Sequence, residues 1–307
     1  MKVLVTGGAG FIGSHLCEEL AKKHEVFCLD NLSTGKKENI TNPKIKFIKA
    51  DANNKEELSK LFKGQDFDWV FHHAAVVGVK RTLENPLSVL NDIEGTKNIL
   101  ELSLKHGIKK VLFASSSEVY GEPVEIPEKE DGHLNAKLPY AITKLMSENY
   151  LKAYYKEHGL KTTSLRFFNA YGPRQDSSDY GFVVGIFIKQ VLKNQSPTIF
   201  GDGTQTRDFV YIKDNIDATI KAMESEKTNG EVFNIGTGRP TTILDLAETI
   251  IGLCGKDLQP VFIGNSRIDV RHRFPDISKM RSIIGFRPKY NLEAGLKETI
   301  NWYKHGK

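Results

Sequence analysis

Tyr140 and Lys144 are the residues whose types and spacing most directly suggest acid–base chemistry. They lie four positions apart in the segment PYAITK, so on a helix both side chains would share one face. An ammonium group beside a phenol favours the phenolate, lowers the pKa of the tyrosine and makes it a usable proton acceptor. Spacing alone is weak support, because a chain with ten tyrosines and many lysines holds about one such pair by chance. Tyr303 and Lys307 form a second pair.

The surroundings of Tyr140 distinguish it from Tyr303. Upstream lies FASSSEVYG, in which an apolar run ends in four polar residues, Ser115, Ser116, Ser117 and Glu118. The carboxyl ends of strands in a doubly wound sheet are where ligands bind. A serine hydroxyl there can hydrogen-bond an oxygen on which charge develops. A serine-rich turn from strand to loop is the alternative interpretation of this segment.

The segment VTGGAGFIGSH fits the spacing G-x-x-G-x-x-G through Gly7, Gly10 and Gly13, after a predicted strand and before a predicted helix. In that setting the glycines permit a tight turn, close approach of backbone to a pyrophosphate and close helix–sheet packing. Asp30 ends the next predicted strand, 17 residues after Gly13. A carboxylate there accepts both hydroxyls of an adenosine ribose and repels a 2′-phosphate. The pattern predicts a dinucleotide site and favours NAD over NADP.

Asp51 ends the third predicted strand, in KADANN. From there its carboxylate could reach the adenine amino group of a dinucleotide. A helix N-cap is an equally good interpretation of Asp51, and Asn53 or Asn54 could serve as that cap instead. The sequence leaves these alternatives open.

Short apolar and β-branched runs alternate with longer helical patterns through the first half of the chain. They predict strands at 2–6, 26–30, 46–50, 69–72, 110–115 and 162–168, and helices at 11–23, 56–62, 86–106 and 140–158. Strict alternation predicts an α/β fold with a Rossmann-type, doubly wound parallel sheet. Near residue 171 glycine, proline and polar turns become denser. We therefore predict an NAD-binding domain at 1–170, to which residues 208–235 return, and a smaller C-terminal α/β substrate-binding region at 171–307.

The composition, with 26% charged and 39% hydrophobic residues, is that of an ordinary globular protein. A formal charge of +5, spread along the chain, is too diffuse for a nucleic-acid footprint. No apolar run approaches the ~18 residues of a membrane span, and the N-terminus lacks signal-peptide regions. Cys17, Cys28 and Cys254 form no C-x-x-C pair and no even framework. We expect a cytoplasmic protein with no nucleic-acid or membrane partner and no metal site.

Nine motifs follow one another along almost the whole chain: TGGAGFIGSH, DNLSTG, FHHAA, SSSEVYGE, PYAITK, LRFFNAYGPR, GDGTQTRDFVYIKD, NIGTG and RFPDISK. Together they resemble the extended short-chain dehydrogenase/reductases that act on nucleotide sugars, in particular the UDP-glucose 4-epimerase and NDP-sugar epimerase/dehydratase group. The resemblance implies NAD as cofactor and a UDP-sugar as substrate. It also implies, by analogy, a homodimer built on the helices at 86–106 and 140–158.

The resemblance implies roles for individual residues. Tyr140 would be the general base, Lys144 would tune it and bind the nicotinamide ribose, and Ser116 would complete the catalytic set. The NAD site would be lined by Gly7, Gly10, Phe11, Ile12, Gly13, Asp30, Asn31, Ser33, Asp51, Ala52 and Ala74. The diphosphate, ribose and base of the substrate would contact Asn169, Val183, Phe200, Arg207 and Arg267. For Asn169 the alternative to a substrate contact is a turn-capping role, and for Arg207 it is a surface ion pair.

Two features depart from a simple epimerase pattern. Glu118, after Ser117, resembles a carboxylate of sugar dehydratases and UDP-glucuronate decarboxylases that assists elimination or protonates a carbanion. Arg273 resembles a decarboxylase residue and could bind a uronate carboxylate. A buried strand-end network for Glu118 and a surface salt bridge for Arg273 are the alternatives. Ser117 stands where a dehydratase would carry an aspartate, and YAITK and HHAAVVGV favour an epimerase.

Two motifs are also shifted in register. Asp92 occupies the asparagine position of N-x-x-GT in NDIEGT, with Asn91 one residue early. Arg267 lies one residue late in the R-x-G-D pattern. Because of these shifts, the sequence does not decide which residue lines the pocket beside the nicotinamide, or whether Arg267 contacts the diphosphate.

The leading hypothesis is an NAD-dependent UDP-sugar 4-epimerase of the UDP-glucose/UDP-galactose type. It would act through a transient 4-keto sugar and recycle its NAD. UDP-glucuronate decarboxylation and NDP-sugar 4,6-dehydration are the enzymatic alternatives. An NAD-binding sensor or scaffold of the same fold is the non-enzymatic one.

Overall fold

The computed structural model describes residues 1–178, 180–264 and 270–306. The chain forms two compact units. Unit 1 comprises Met1–Val119, Ala136–Arg166 and Ile216–Phe233, and unit 2 comprises Tyr120–Asn135, Phe167–Asn215 and Asn234–Lys307. Residues 120–135 belong to unit 2, although the segments before and after them belong to unit 1. Their composition did not predict this assignment, because it is that of an ordinary polar loop segment.

The strands are β1 (Lys2–Thr6), β2 (Glu25–Asp30), β3 (Lys46–Lys49), β4 (Trp69–His72), β5 (Lys110–Ser116), β6 (Thr162–Phe167), β7 (Asn169–Tyr171), β8 (Thr198–Phe200), β9 (Thr206–Tyr211), β10 (Glu231–Ile235), β11 (Pro240–Thr242), β12 (Val261–Ile263) and β13 (His272–Arg273). The helices are α1 (Phe11–Leu20), α2 (Lys55–Gly64), α3 (Val79–Glu84), α4 (Asn91–Lys105), α5 (Pro139–His158), α6 (Val183–Leu192), α7 (Ile212–Glu224), α8 (Ile243–Cys254), α9 (Ser278–Ile284) and α10 (Leu292–His305).

A seven-stranded sheet with the order β10-β6-β5-β4-β1-β2-β3 confirms the predicted Rossmann-type fold. The pairs β1–β2, β1–β4, β2–β3 and β4–β5 are parallel. The direction of strand order reverses between β1 and β4, so the carboxyl ends of these two strands form the switch point where such sheets bind ligands. Gly7 follows β1 directly and Ala74 lies just beyond β4.

The central strands are buried on both faces, which explains their continuous apolar runs. Val3, Leu4 and Val5 on β1, like Val70 and Phe71 on β4, have no exposed surface. Helices α2 and α4 and strands β2, β4 and β5 contribute to one hydrophobic core. The sheet therefore provides a rigid support for the loops at its carboxyl edge.

The single helix predicted at 86–106 is wrong in its first turns. Residues Pro86–Leu90 form a 3₁₀ turn, and α4 begins at Asn91. The preceding helix α3 was not predicted, and it ends at Glu84. Proline lacks an N–H and disfavours helical geometry in the residue before it, so Pro86 separates the two helices.

The described residues of unit 2 form two small sheets. In one, β9 lies between β11 and β13 and also pairs with β7, and in the other β12 pairs with β8. The parallel register of β13 on β9 places Arg273 opposite Arg207. Helix α6 packs against α8 and α10. Within the described residues, no helix is long and apolar enough to cross a membrane.

Candidate active site

The loop after β1 forms a cradle with no room for a side chain at Gly7 or Gly13. Gly7 has φ of +67°, and a Cβ there would lie 2.7 Å from the backbone N of Ala74. A Cβ on Gly13 would collide with the carbonyl oxygen of Gly7. Helix α1 starts here, with Ser14 N donating to Gly10 O at 3.0 Å. The helix N-terminus and the missing side chains together fit a pyrophosphate approaching the backbone.

Asp30 is held firmly at the end of β2. Its Oδ2 accepts from Ala9 N at 3.0 Å and its Oδ1 accepts from Leu32 N at 2.8 Å. Burial raises the pKa of the Asp30 carboxyl, and the two backbone donors oppose that rise. Each carboxylate oxygen has two lone pairs, so each can also accept one ribose hydroxyl. The geometry therefore fits the predicted ribose contact.

Asn31 and Asp51 are brought together beside this carboxylate. Asn31 Nδ2 donates to Asp51 Oδ2 at 3.0 Å, while Asp51 Oδ1 accepts from Asn53 N at 2.8 Å. The N-cap of α2 is Asn54, whose side chain accepts from two backbone N–H groups of the first turn. Asp51 is therefore not the helix cap, and each of its carboxylate oxygens keeps a second lone pair that could accept from an adenine amino group.

The other predicted NAD contacts lie in the same unit. Phe11 and Ile12 open α1, and Ala52 is buried after β3. Ser33 N donates to Asn31 Oδ1 at 2.9 Å, which closes the loop after β2. Ala74 N donates to Thr6 Oγ1 at 3.3 Å. The residues predicted to hold NAD thus surround the carboxyl ends of β1, β2 and β4 and fit a dinucleotide.

Ser116, Tyr140 and Lys144 converge at the end of β5. Pro139 starts helix α5, so Tyr140 lies in its first turn and Lys144 one turn later. Lys144 Nζ donates to Ala114 O at 2.7 Å and lies 5.6 Å from the centroid of the Tyr140 ring. A side-chain hydrogen bond joins Tyr140 to Ser116. The two members of the pair share one face of the helix, as their spacing predicts.

The pKa of Tyr140 differs from the expectation drawn from Lys144. Burial raises the pKa of the Tyr140 phenol well above its usual value, and the hydrogen bond from Ser116 opposes that rise. The carboxylates of Glu118 and Asp92 raise it further. Burial also lowers the pKa of Lys144 to about 8. In the protein alone, these effects together favour the neutral phenol of Tyr140 over the phenolate.

Ser117 and Glu118 begin the turn after β5. Ser117 is buried, and Glu118 N donates to Ser116 Oγ at 3.2 Å. The Glu118 carboxylate raises the pKa of the Tyr140 phenol, so it lies within electrostatic range of that group. Both residues therefore stay candidates for a contact with the sugar.

Asp92 is a site residue to which sequence reasoning assigned no role. Its Oδ2 accepts from Val76 N at 2.9 Å and so fixes the segment after β4. Burial raises the pKa of Asp92 to about 6, and Lys144 opposes that rise. Asn91 is exposed. The displaced motif NDIEGT was the available signal, because it places a carboxylate where an amide is usual.

The predicted substrate contacts lie in unit 2. Asn169 Nδ2 donates to Asp208 O at 3.1 Å, and Val183 begins α6. Phe200 ends β8. Arg207 is buried, with Nη1 donating to Thr206 O at 2.7 Å, so the surface ion-pair interpretation is wrong. Arg267 lies outside the described residues.

Arg273 is buried, which makes the surface salt-bridge interpretation wrong. Its Nη2 donates to Gly121 O at 2.9 Å, and its Nε lies 4.0 Å from Glu128 Oε1. Burial raises the pKa of Glu128 to about 7, and Arg273 and Arg207 oppose that rise. Arg207 and Arg273 are paired in register on neighbouring strands, and the single carboxylate of Glu128 beside Arg273 leaves an excess of positive charge, which suits a diphosphate.

Comparison with known proteins places this geometry in context. The model of the NAD dependent epimerase/dehydratase family matches residues 3–236. A UDP-N-acetyl-alpha-D-glucosaminuronate decarboxylase of Bacillus cytotoxicus is 39% identical over 99% of this chain and 98% of its own. The UDP-glucose 4-epimerase of Thermotoga maritima, solved with UDP-glucose, is 39% identical with a TM-score of 0.96 and covers 100% of this chain and 99% of its own.

A third similar protein was solved with its cofactor. The UDP-glucuronic acid 4-epimerase of Bacillus cereus, in complex with UDP-glucuronic acid and NAD, is 36% identical with a TM-score of 0.91. The match covers 100% of both chains. The family uses NAD, as predicted from the glycine loop and Asp30, and it acts on nucleotide sugars, as the resemblance of the motifs implied. This chain therefore belongs to the NAD-dependent epimerase/dehydratase family.

Proposed function

We propose that the protein is an NAD-dependent UDP-sugar 4-epimerase of the UDP-glucose/UDP-galactose type. The convergence of Ser116, Tyr140 and Lys144 at the carboxyl end of β5 carries the proposal. The glycine cradle and Asp30 lie in the same unit, and the sheet order brings β5 next to β4. The T. maritima protein named above, at 39% identity, supports the same reaction.

The chain's own residues manage the proton. NAD, when bound, accepts the hydride from C4 of the sugar and returns it. Tyr140 takes the proton of the 4-hydroxyl group and later gives it back to the same oxygen. Ser116 donates a hydrogen bond to that oxygen as its charge changes. Lys144, held by Ala114 O, keeps a cation near the phenolate, where the low local dielectric strengthens the attraction.

Residues of unit 2 would hold the diphosphate, so that the oxidised sugar could rotate without leaving the protein. In unit 2 Arg207 and Arg273 are paired in register on neighbouring strands, and Asn169 lies at the start of β7, which also pairs with β9. A guanidinium fork binds two phosphate oxygens at once, so these residues would hold the nucleotide while the sugar swings about the diphosphate. The rotated sugar would present the opposite face of C4 to the bound cofactor, and reduction on that face would give the C4 epimer.

A panel of nucleotide sugars read by NMR tests the proposal. Purified protein is incubated with UDP-glucose, UDP-N-acetylglucosamine or UDP-glucuronate without added cofactor. The C4 epimer of at least one sugar should appear and reach equilibrium. Tyr140→Phe should abolish this turnover, whereas Tyr155→Phe on the outer face of the same helix should not. No epimer from any of the three sugars would refute the proposal, and equal turnover by Tyr140→Phe would remove the assigned base.

UDP-glucuronate decarboxylation is the second candidate, and the position of Glu118 near Tyr140 favours it. The B. cytotoxicus relative is named for a decarboxylation of this kind. Against it, Arg273 is buried beside Glu128, so its charge is partly balanced before any uronate arrives. Release of carbon dioxide from UDP-glucuronate, with a pentose product, would replace the epimerase proposal by this one.

We also propose a cytoplasmic homodimer formed by the helices α4 and α5 of unit 1. Large apolar side chains are exposed around them, with Leu87 at 76%, and with Leu83, Leu90 and Ile142 at 50–53%. Contiguous exposed apolar groups of this kind mark protein interfaces. Light scattering should give a dimer mass for the wild-type protein and a monomer mass for Leu87→Glu/Ile142→Glu. A monomeric wild-type protein at micromolar concentration would refute it.

A further inference from the structure

A second buried polar network lies beside the catalytic set in unit 1. Arg166 on β6 donates to Glu148 on α5, from Nη2 to Oε2 at 2.8 Å and from Nε to Oε1 at 3.0 Å. Ser115 Oγ on β5 donates to the same Oε1 atom. The exposed fraction is 3% for Arg166 and Ser115 and 4% for Glu148. One carboxylate therefore joins three elements in the interior.

The network continues a regular series of contacts between α5 and β5. Three successive turns of the helix each make one polar contact with the end of the strand: Tyr140 with Ser116, Lys144 with Ala114, and Glu148 with Ser115. The third contact involves no residue of the proposed chemistry. In this contact, however, Glu148 also binds a second strand, because Arg166 on β6 donates to its carboxylate.

We propose that the Ser115–Glu148–Arg166 network is a positioning device that fixes the register of α5 on β5 and thereby places Tyr140 and Lys144. The proposal rests on the proposed function, since it assumes that these two residues act on the sugar. A slide of α5 by one turn would move its side chains by about 5.4 Å. Such a slide would leave Glu148 and Arg166 buried without each other, and unpaired buried charges strongly oppose it.

Glu148 also acts on Lys144 through its charge. Burial lowers the pKa of Lys144 to about 8, and the carboxylates of Asp92 and Glu148 oppose that fall. Burial lowers the pKa of both neighbouring histidines to about 3, so they are neutral and leave the two carboxylates as the countercharges. The titratable groups around Lys144 are Tyr140 and Glu148 on its own helix, Asp92 on α4, His72 at the end of β4 and His73 directly after it.

Glu148→Gln tests the network, because the amide has the shape of the carboxylate and lacks its charge. With the substrate on which the wild-type protein turns over, kcat should fall on the order of 10- to 100-fold while KM changes by less than about twofold. The alkaline limb of the kcat profile should move to lower pH, since Lys144 loses a countercharge. Glu226→Gln, which breaks the exposed pair with Lys161, is the matched control and should change neither quantity.

Ser115→Ala is the second variant, and it keeps the ion pair intact. It removes only the link from Glu148 to β5, so it should fold and still lower kcat by about 3- to 10-fold with KM unchanged. Unchanged kcat in both folded variants, with an unmoved alkaline limb, would overturn the proposal. A fall confined to thermal stability, with kcat intact, would overturn it as well.

A measurement independent of turnover separates this proposal from the proposed function. The pKa of Lys144 is followed by NMR of protein labelled with ¹³Cε-lysine, and Lys144→Met assigns the signal. The titration midpoint should be lower in Glu148→Gln than in wild type, and unchanged in Glu226→Gln. If the wild-type protein is inactive and Glu148→Gln nevertheless shows this shift, only the epimerase proposal is refuted. If the wild-type protein is active, and Glu148→Gln shows no shift and keeps its full kcat, only the proposal of the positioning network is refuted.

Discussion

Asp92 provides the sharpest electrostatic prediction of the structure. Its Oδ2 accepts from Val76 N at 2.9 Å, and burial raises its pKa from 3.8 to about 6. A carboxyl group with a raised pKa binds more protons in the folded than in the unfolded protein. Ionisation of Asp92 therefore weakens the fold progressively from about pH 4 to about pH 6, and the loss is complete above that window. Asp92→Asn removes the charge and keeps an acceptor for the Val76 N–H.

The magnitude follows from the shift. Two pKa units correspond to about 3 kcal/mol, and partial exposure of Asp92 to water reduces this to about 1–2 kcal/mol. With NAD in excess, Asp92→Asn should therefore raise Tm by about 2–4 °C at neutral pH, and most of that gain should disappear by about pH 4. Calorimetry at both pH values measures it, with the exposed Asp257→Asn as control. An equal gain at both pH values, or none at neutral pH, would refute the assigned environment of Asp92.

Three further predictions concern the base, the cradle and the pH profile. Tyr140→Phe should lower kcat by about 10²- to 10⁴-fold while the NAD content of the purified protein, read by its absorbance after denaturation, stays unchanged. Gly7→Ala should release NAD during gel filtration, because its Cβ would lie 2.7 Å from Ala74 N at a left-handed φ; retention of full NAD would contradict the cradle. The wild-type kcat should decline above about pH 8, where Lys144 loses its proton; a flat profile to pH 10 would contradict that assignment.

Much of unit 1 could be predicted from local sequence, because its central strands are buried on both faces and read as continuous apolar runs. Strand β1 has the bounds predicted for it, and α1 starts at the predicted residue, Phe11, directly after the glycine loop. The segment around Pro86 could not be predicted in the same way. Its residues suit a helix, and the break depends on how one proline restricts its neighbour.

The candidate site was predictable where a helical turn fixes the geometry, as for Tyr140 and Lys144. The direction of the Tyr140 pKa shift was predicted wrongly, because burial depends on segments distant in the chain and outweighs one cation. The hydrogen-bond partners of Glu148 and Asp92 could not be predicted from the sequence, because they too lie in distant segments of the chain. Arg166 and Val76 lie 18 and 16 positions away from them in the sequence, and only the folded sheet brings them together.

A deuterium label at C4 of the sugar tests the central claim most directly. UDP-glucose, or whichever of the three UDP-sugars the wild-type protein epimerises, is incubated with the protein while it carries deuterium at that carbon, and the product is read by NMR and mass spectrometry. Because the same hydride is removed and returned within one site, the C4 epimer should form with its deuterium retained at C4. Loss of the deuterium to water, or the absence of any C4 epimer after wild-type incubation, would contradict the account.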